Sequence, residues 1–100
     1  MLIELLAFEG CPNAEVAHER IVLALAGRPA TIVQIEVDTP DLAIAHRFLG
    51  SPSVRVNGQD VEADAYRRRD FGLMCRTYPT SAERSEGAPS VAMIRAAIAR

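Results

Sequence analysis

A chain of 100 residues has room for one domain with a modest core and no second. Apolar residues at 49% and charged residues at 24% are the proportions of a globular protein, not of a disordered or fibrous one. A formal net charge of −2 gives no general attraction for nucleic acid or an anionic membrane, and the eleven basic residues are all Arg, which excludes chemistry that needs a lysine.

The first segment, Met1 to Phe8, is apolar but short, and it is broken by Glu4 and followed by Glu9. It lacks a basic leader, so it reads as neither a signal peptide nor a membrane span. A buried strand is expected over residues 2–8. Without an export signal the expected compartment is the cytoplasm, where thiols are kept reduced. Cys11-Pro12-Asn13 follows, and Ala14, Ala17, Ile21 and Leu25 then recur at helical spacing until Gly27 stops the helix, which predicts a helix over 14–26. Pro12 suits a first helical turn, where a missing amide hydrogen costs nothing. Cys11 then falls at or just before the helix N-cap.

Thr31 to Val37 is β-branched and predicts a second strand. Thr39-Pro40-Asp41 opens a second helix with a capping residue, a first-turn proline and an acid at the positive end. That helix is expected to run from Leu42 to Leu49 and stop at Gly50. Ser53-Val54-Arg55-Val56 predicts a third strand, Asn57-Gly58 a tight hairpin, and Gln59 to Glu62 a returning fourth strand. Residues 63–87 read as a long polar stretch. Residues 89–100 close the chain as a helix burying Val91, Ile94 and Ile98. The order is β-α-β-α-β-β-α, an α/β fold in a single domain over 1–100.

Two cysteines, Cys11 and Cys75, are too few for a disulfide scaffold and lean toward reactivity or metal binding. A thiol reacts as its thiolate, and the N-terminal end of a helix favours an anion. The competing reading of Cys11 is a small buried hydrophobe at a strand end. Cys75 has the same alternative, a core residue beside Leu73 and Met74. His18 and His46 read as surface or structural residues, since His18 lies two helical turns beyond Cys11. Phe71 and Tyr78 read as packing residues. No histidine-rich metal motif is present, so no resident metal or cofactor is expected.

Three local features, taken with the order of elements, resemble the minimal core of the thioredoxin and glutaredoxin superfamily. Phe8-Glu9-Gly10-Cys11-Pro12-Asn13-Ala14 is similar to the Cys-Pro-x-Cys active site of glutaredoxins, with Ala14 in place of the second cysteine. Gly50-Ser51-Pro52-Ser53-Val54 resembles the segment that carries the superfamily's cis-proline, and Gly87-Ala88-Pro89 precedes the last helix. Gly10-Cys11-Pro12 with Cys75-Arg76-Thr77-Tyr78 is also similar to small bacterial thioredoxin-like proteins, some of them linked to alkylmercury lyase or heavy-metal response. The resemblance implies a three-layer thioredoxin-like sandwich around a central four-stranded mixed sheet.

It further implies a redox-active Cys11, with a cis Pro52 shaping a groove beside it together with Pro12. The backbone groups of Ser51 would be exposed there for an extended thiol-bearing substrate to pair with. In that topology the chain returns from the fourth strand to the Cys11 end, so Cys75 could act as the resolving thiol. Arg76 could favour a nearby thiolate, although an Arg beside a cysteine is more often solvated. The implied activity is an oxidoreductase's: thiol-disulfide exchange on a thiol or disulfide substrate, with glutathione or a partner protein as the second thiol if Cys75 is distant. The alternatives are a soft-metal module holding mercury or copper on two thiolates, and a non-catalytic interaction scaffold. A monomer or a weak dimer through an exposed strand edge is expected.

Overall fold

In a computed structural model, which describes residues 1–81 and 83–100, the first strand, β1 (Leu2–Ala7), lies inside a four-stranded mixed sheet. Its side chains account for that place. Ile3 and Leu5 pack into a core on one face and Leu6 into a core on the other, each at 2% exposure or less. β2 (Thr31–Glu36) pairs with β1 in parallel, with Leu2 opposite Thr31 and Ala7 opposite Glu36. β3 (Ser53–Val56) pairs antiparallel on the other side, with Ile3 opposite Val56 and Leu6 opposite Ser53. β4 (Gln59–Asp60) continues from β3 through the Asn57-Gly58 hairpin, where both residues have positive φ, 50° and 84°. The order across the sheet is β2-β1-β3-β4, so β2 and β4 are its edges.

α1 (Ala14–Leu25) and α3 (Val91–Ile98) cover one face. Ala17 and Ile21 of α1 and Ile94 and Ala97 of α3 share a core with Ile3, Leu5, Val54 and Val56. α2 (Pro40–Ala45) covers part of the opposite face through Ala43, which packs with Leu6, Val37 and Phe48. Among the described residues no helix is long and apolar enough to cross a membrane.

Several boundaries differ from the sequence expectation. β1 and β2 each stop one residue early, and α1 ends at Leu25 because Ala26 and Gly27 both turn left-handed. α2 begins two residues early and stops at Ala45, well short of Leu49. Its end is a Schellman motif. Phe48 N–H donates to the Ala43 carbonyl at 2.8 Å, Arg47 N–H donates to the Ile44 carbonyl at 3.1 Å, and Arg47 holds φ 52° between them. The turn swings Phe48 into the core, where it is fully buried. The stretch 63–87 is less irregular than expected: it contains a 3₁₀ turn (Ala65–Arg67) and a short hairpin of β5 (Tyr78–Pro79) and β6 (Ser85–Glu86). Tyr78 anchors that stretch to the α1–α3 core at 0% exposure.

Candidate functional site

The C-terminal end of β1, the start of β3 and the segment Met74–Arg76 meet at one end of the sheet. Cys11 follows β1 and stands two residues before Asn13, the N-cap of α1. Pro12, exposed, precedes the cap and is not in the first helical turn as expected. Cys11 N–H donates to the Phe8 carbonyl at 3.3 Å, and Ala14 N–H donates to the Cys11 carbonyl at 3.3 Å, so two turns fix the cysteine's backbone. Phe8 N–H in turn donates to Ser51 Oγ at 3.3 Å.

Ser51 is the hub. Its N–H donates to the Met74 carbonyl at 2.8 Å, and its carbonyl accepts from Arg76 N–H at 3.0 Å, a parallel bridge with Cys75 at its centre. The chain approaches this closely because residue 50 is glycine. A Cβ there would lie 3.0 Å from both the Met74 carbonyl oxygen and Arg76 Cβ, and φ is +119°. Backbone hydrogen bonds thus tie Cys11 to Phe8 and bridge Cys75 to Ser51, and Phe8 and Ser51 are themselves bonded. Both cysteines are free thiols, Cys11 partly exposed and Cys75 exposed. Cys75 is not the core residue its neighbours allowed, since Leu73 and Met74 are about 40% exposed themselves.

The Ser51–Pro52 peptide is cis. Ser51 and Pro52 are almost fully buried, and the Pro52 carbonyl accepts a 2.6 Å hydrogen bond from the Tyr78 hydroxyl. The exposed Ser51 backbone expected from the resemblance is thus not found. The chain's own residues 74–76 satisfy both groups, as buried peptide groups require.

Arg76 is placed differently again. It neither sits in solvent nor points at a thiol. Its side chain is 1% exposed, and it donates to Ser53 Oγ at 3.0 Å, to both oxygens of Asp60 at 2.7 and 2.8 Å, and to Glu62 Oε1 at 3.0 Å. Its guanidinium carbon lies 4.4 Å from the centre of the Tyr78 ring. Nε is the one buried side-chain polar atom among the described residues without a hydrogen-bond partner. Although burial opposes its charge, the hydrogen bonds to Asp60 and the other nearby negative groups hold Arg76 protonated well beyond the ordinary arginine range. Burial pushes the Tyr78 phenol up, with Arg76 opposing it only in part.

Asp60 and Glu62 were missed by the sequence reading. The signal was the alternation Asp60-Val61-Glu62, which sends Val61 to the core and both carboxylates to the other face. His46 caps the C-terminus of α2 and His18 lies within α1. Among the described residues no three His, Cys, Asp or Glu side chains form a metal-binding group. Comparison of the chain with protein families, with curated proteins and with solved structures finds no match.

Proposed function

We propose that this chain is a thioredoxin-like thiol-disulfide oxidoreductase in which Cys11 is the nucleophile and Cys75 the resolving thiol. The observation that carries the reading is that both free cysteines are tied to the bonded pair Phe8 and Ser51, Cys11 through its turn on Phe8 and Cys75 through its bridge to Ser51, beside a cis Pro52 at the start of β3. The strand order β2-β1-β3-β4 supports it, with a cysteine between β1 and α1.

The Cys11 thiolate attacks one sulfur of a substrate disulfide. A mixed disulfide forms, and the other substrate sulfur leaves as a thiolate. The Cys75 thiolate then attacks Cys11 Sγ, closing a Cys11–Cys75 disulfide and releasing the second substrate thiolate. The substrate gains two electrons and the cysteine pair loses two. An external thiol reductant restores the dithiol. Because Ser51 is already bonded to Met74 and Arg76, an extended peptide has no free backbone to pair with there. The substrate proposed is therefore a small disulfide of the glutathione class, which needs no backbone pairing with Ser51.

The test is intact mass after alkylation, with and without prior reduction. Protein treated with a small disulfide should resist alkylation at both cysteines, and reduction should open both. In Cys75→Ser the mixed disulfide on Cys11 should accumulate. If both thiols of the wild type label fully after oxidant and no adduct is retained on Cys75→Ser, the proposal fails; an adduct on Cys11→Ser alone would make Cys75 the nucleophile and overturn it as well.

A further inference from the structure

A cavity that neither cysteine lines lies among β3, β4, the segment 62–71 and Arg100. It encloses about 510 Å³, within the range of small-molecule sites. Arg47, Arg55, Arg68 and Arg100 line it, with Tyr66 and Phe71 as aromatic walls. The two lining carboxylates, Asp60 and Glu62, share the buried Arg76, whose single charge offsets one of them. Arg68 pairs with Asp70 at 2.6 Å. Arg47, Arg55 and Arg100 have no ion-pair partner among the described residues. Arg55 and Arg100 donate to backbone carbonyls, which fixes their guanidinium groups without neutralising them. The wall carries an unbalanced positive charge on prepositioned donors.

Arg47 adds an independent observation. It occupies the left-handed residue of the turn that ends α2, where glycine is the common choice and a side chain is disfavoured. Its guanidinium lies 5.1 Å from the centre of the Phe71 ring, on the cavity wall. A residue poorly suited to its backbone therefore supplies one of the uncompensated charges. Tyr66 is 66% exposed, with the Arg67 guanidinium carbon 5.4 Å from its ring centre and Arg67 Nε donating to its hydroxyl at 3.0 Å.

We infer that this cavity binds a phosphate monoester carried on a flat apolar body. The dianionic phosphate matches the surplus of positive charge, and planar guanidinium groups match its oxygens bidentately. The rings of Tyr66 and Phe71 take the apolar body by stacking. The site stands whether or not Cys11 is redox-active, since the two share no residue.

Phenyl phosphate is the probe, titrated into the reduced full chain and followed by amide shifts of Gly58 and Ala63, which line the cavity. Saturable shifts are expected, weakening as salt is raised. Inorganic phosphate should bind about tenfold more weakly for want of the aromatic contact. Arg47→Gly should lower affinity about tenfold while leaving the melting temperature unchanged or raised, because glycine fits the turn. Tyr66→Ala should weaken phenyl phosphate and leave inorganic phosphate unaffected. Arg95→Gln, which removes a charge outside the cavity, should change nothing. Non-saturating shifts, equal binding by Arg47→Gly, or equal loss in Arg95→Gln would each overturn the assignment.

Discussion

Arg76 shows how one side chain determines what the region around Cys75 can do. Its guanidinium ties the segment after Cys75 to Ser53 of β3 and to Asp60 and Glu62, beside the backbone bridge between Ser51 and Cys75. Replacing Arg76 with Met leaves two carboxylates facing an apolar group. Both keep some contact with water, so a loss near the low end for a broken buried pair is expected, about 3 kcal/mol by urea titration. Arg76→Lys recovers only part of this, because an ammonium cannot bind both Asp60 oxygens in the guanidinium geometry. Tyr78 predicts the alkaline limb. Its phenol is raised in the folded state, so folding holds the proton that an unfolded tyrosine releases from about pH 10. Its contribution is complete below that pH and is lost as pH rises from there toward the folded value. Tyr78→Phe should flatten the fall in stability above about pH 10 and cost about 1 kcal/mol at neutral pH for the bond to Pro52. Equal alkaline slopes in the two proteins would remove Tyr78 as the cause.

At the scale of elements, the three helices begin in different ways. Thr39 Oγ1 accepts from Leu42 N–H at 3.2 Å and Ser90 Oγ accepts from Met93 N–H at 3.0 Å, so each cap is worth about 1 kcal/mol to its helix. Asn13 makes no such bond at α1. Its amide packs against Gly87 instead, where an added Cβ would stand 2.8 Å from Asn13 Cγ. Gly87→Ala should therefore cost about 1–2 kcal/mol by overpacking. Asn13→Ala should recover most of it in the double variant, since the two residues are coupled through one contact. Simple additivity would show that the contact carries no energy. Much of this level was legible in the sequence. β1, α1, β2 and the Asn57-Gly58 hairpin follow from apolar period and turn chemistry, which act locally. The end of α2 did not, because Arg47 occupies a position where sequence rules look for glycine. The hairpin of β5 and β6 did not either, because Tyr78 is fixed by the α1–α3 core and not by its neighbours in the chain. The burial of Arg76 depends on carboxylates some fifteen residues away, which no local pattern announces.

For the whole molecule, the proposed redox cycle is also a stability cycle. A bond between Cys11 and Cys75 would join a residue before α1 to the segment that closes on β3, enclosing α1, β2, α2, β3 and β4 in one loop. Cross-linking so long a loop removes entropy from the unfolded chain worth about 4 kcal/mol, provided the folded geometry accepts the bond without distortion. A disulfide needs Cα atoms within about 7 Å. The Ser51 bridge holds Cys75 in place, and the Phe8 and Ala14 hydrogen bonds hold Cys11. Oxidised protein should therefore melt at least about 10 °C above reduced protein, since each kcal/mol shifts a domain of this size by several degrees. Cys75→Ser should melt alike under both conditions. The sign of the shift also reports on function. A large increase means a relaxed disulfide, hard to reduce, and a protein that rests oxidised. A decrease means the closed form is strained and accepts electrons readily, so the pair would oxidise thiols more readily than it reduces disulfides. Identical melting of wild type with and without oxidant, with both thiols free by mass, would mean that the Phe8–Ser51 link does not bring the sulfurs into reach, and the two-thiol mechanism would be lost.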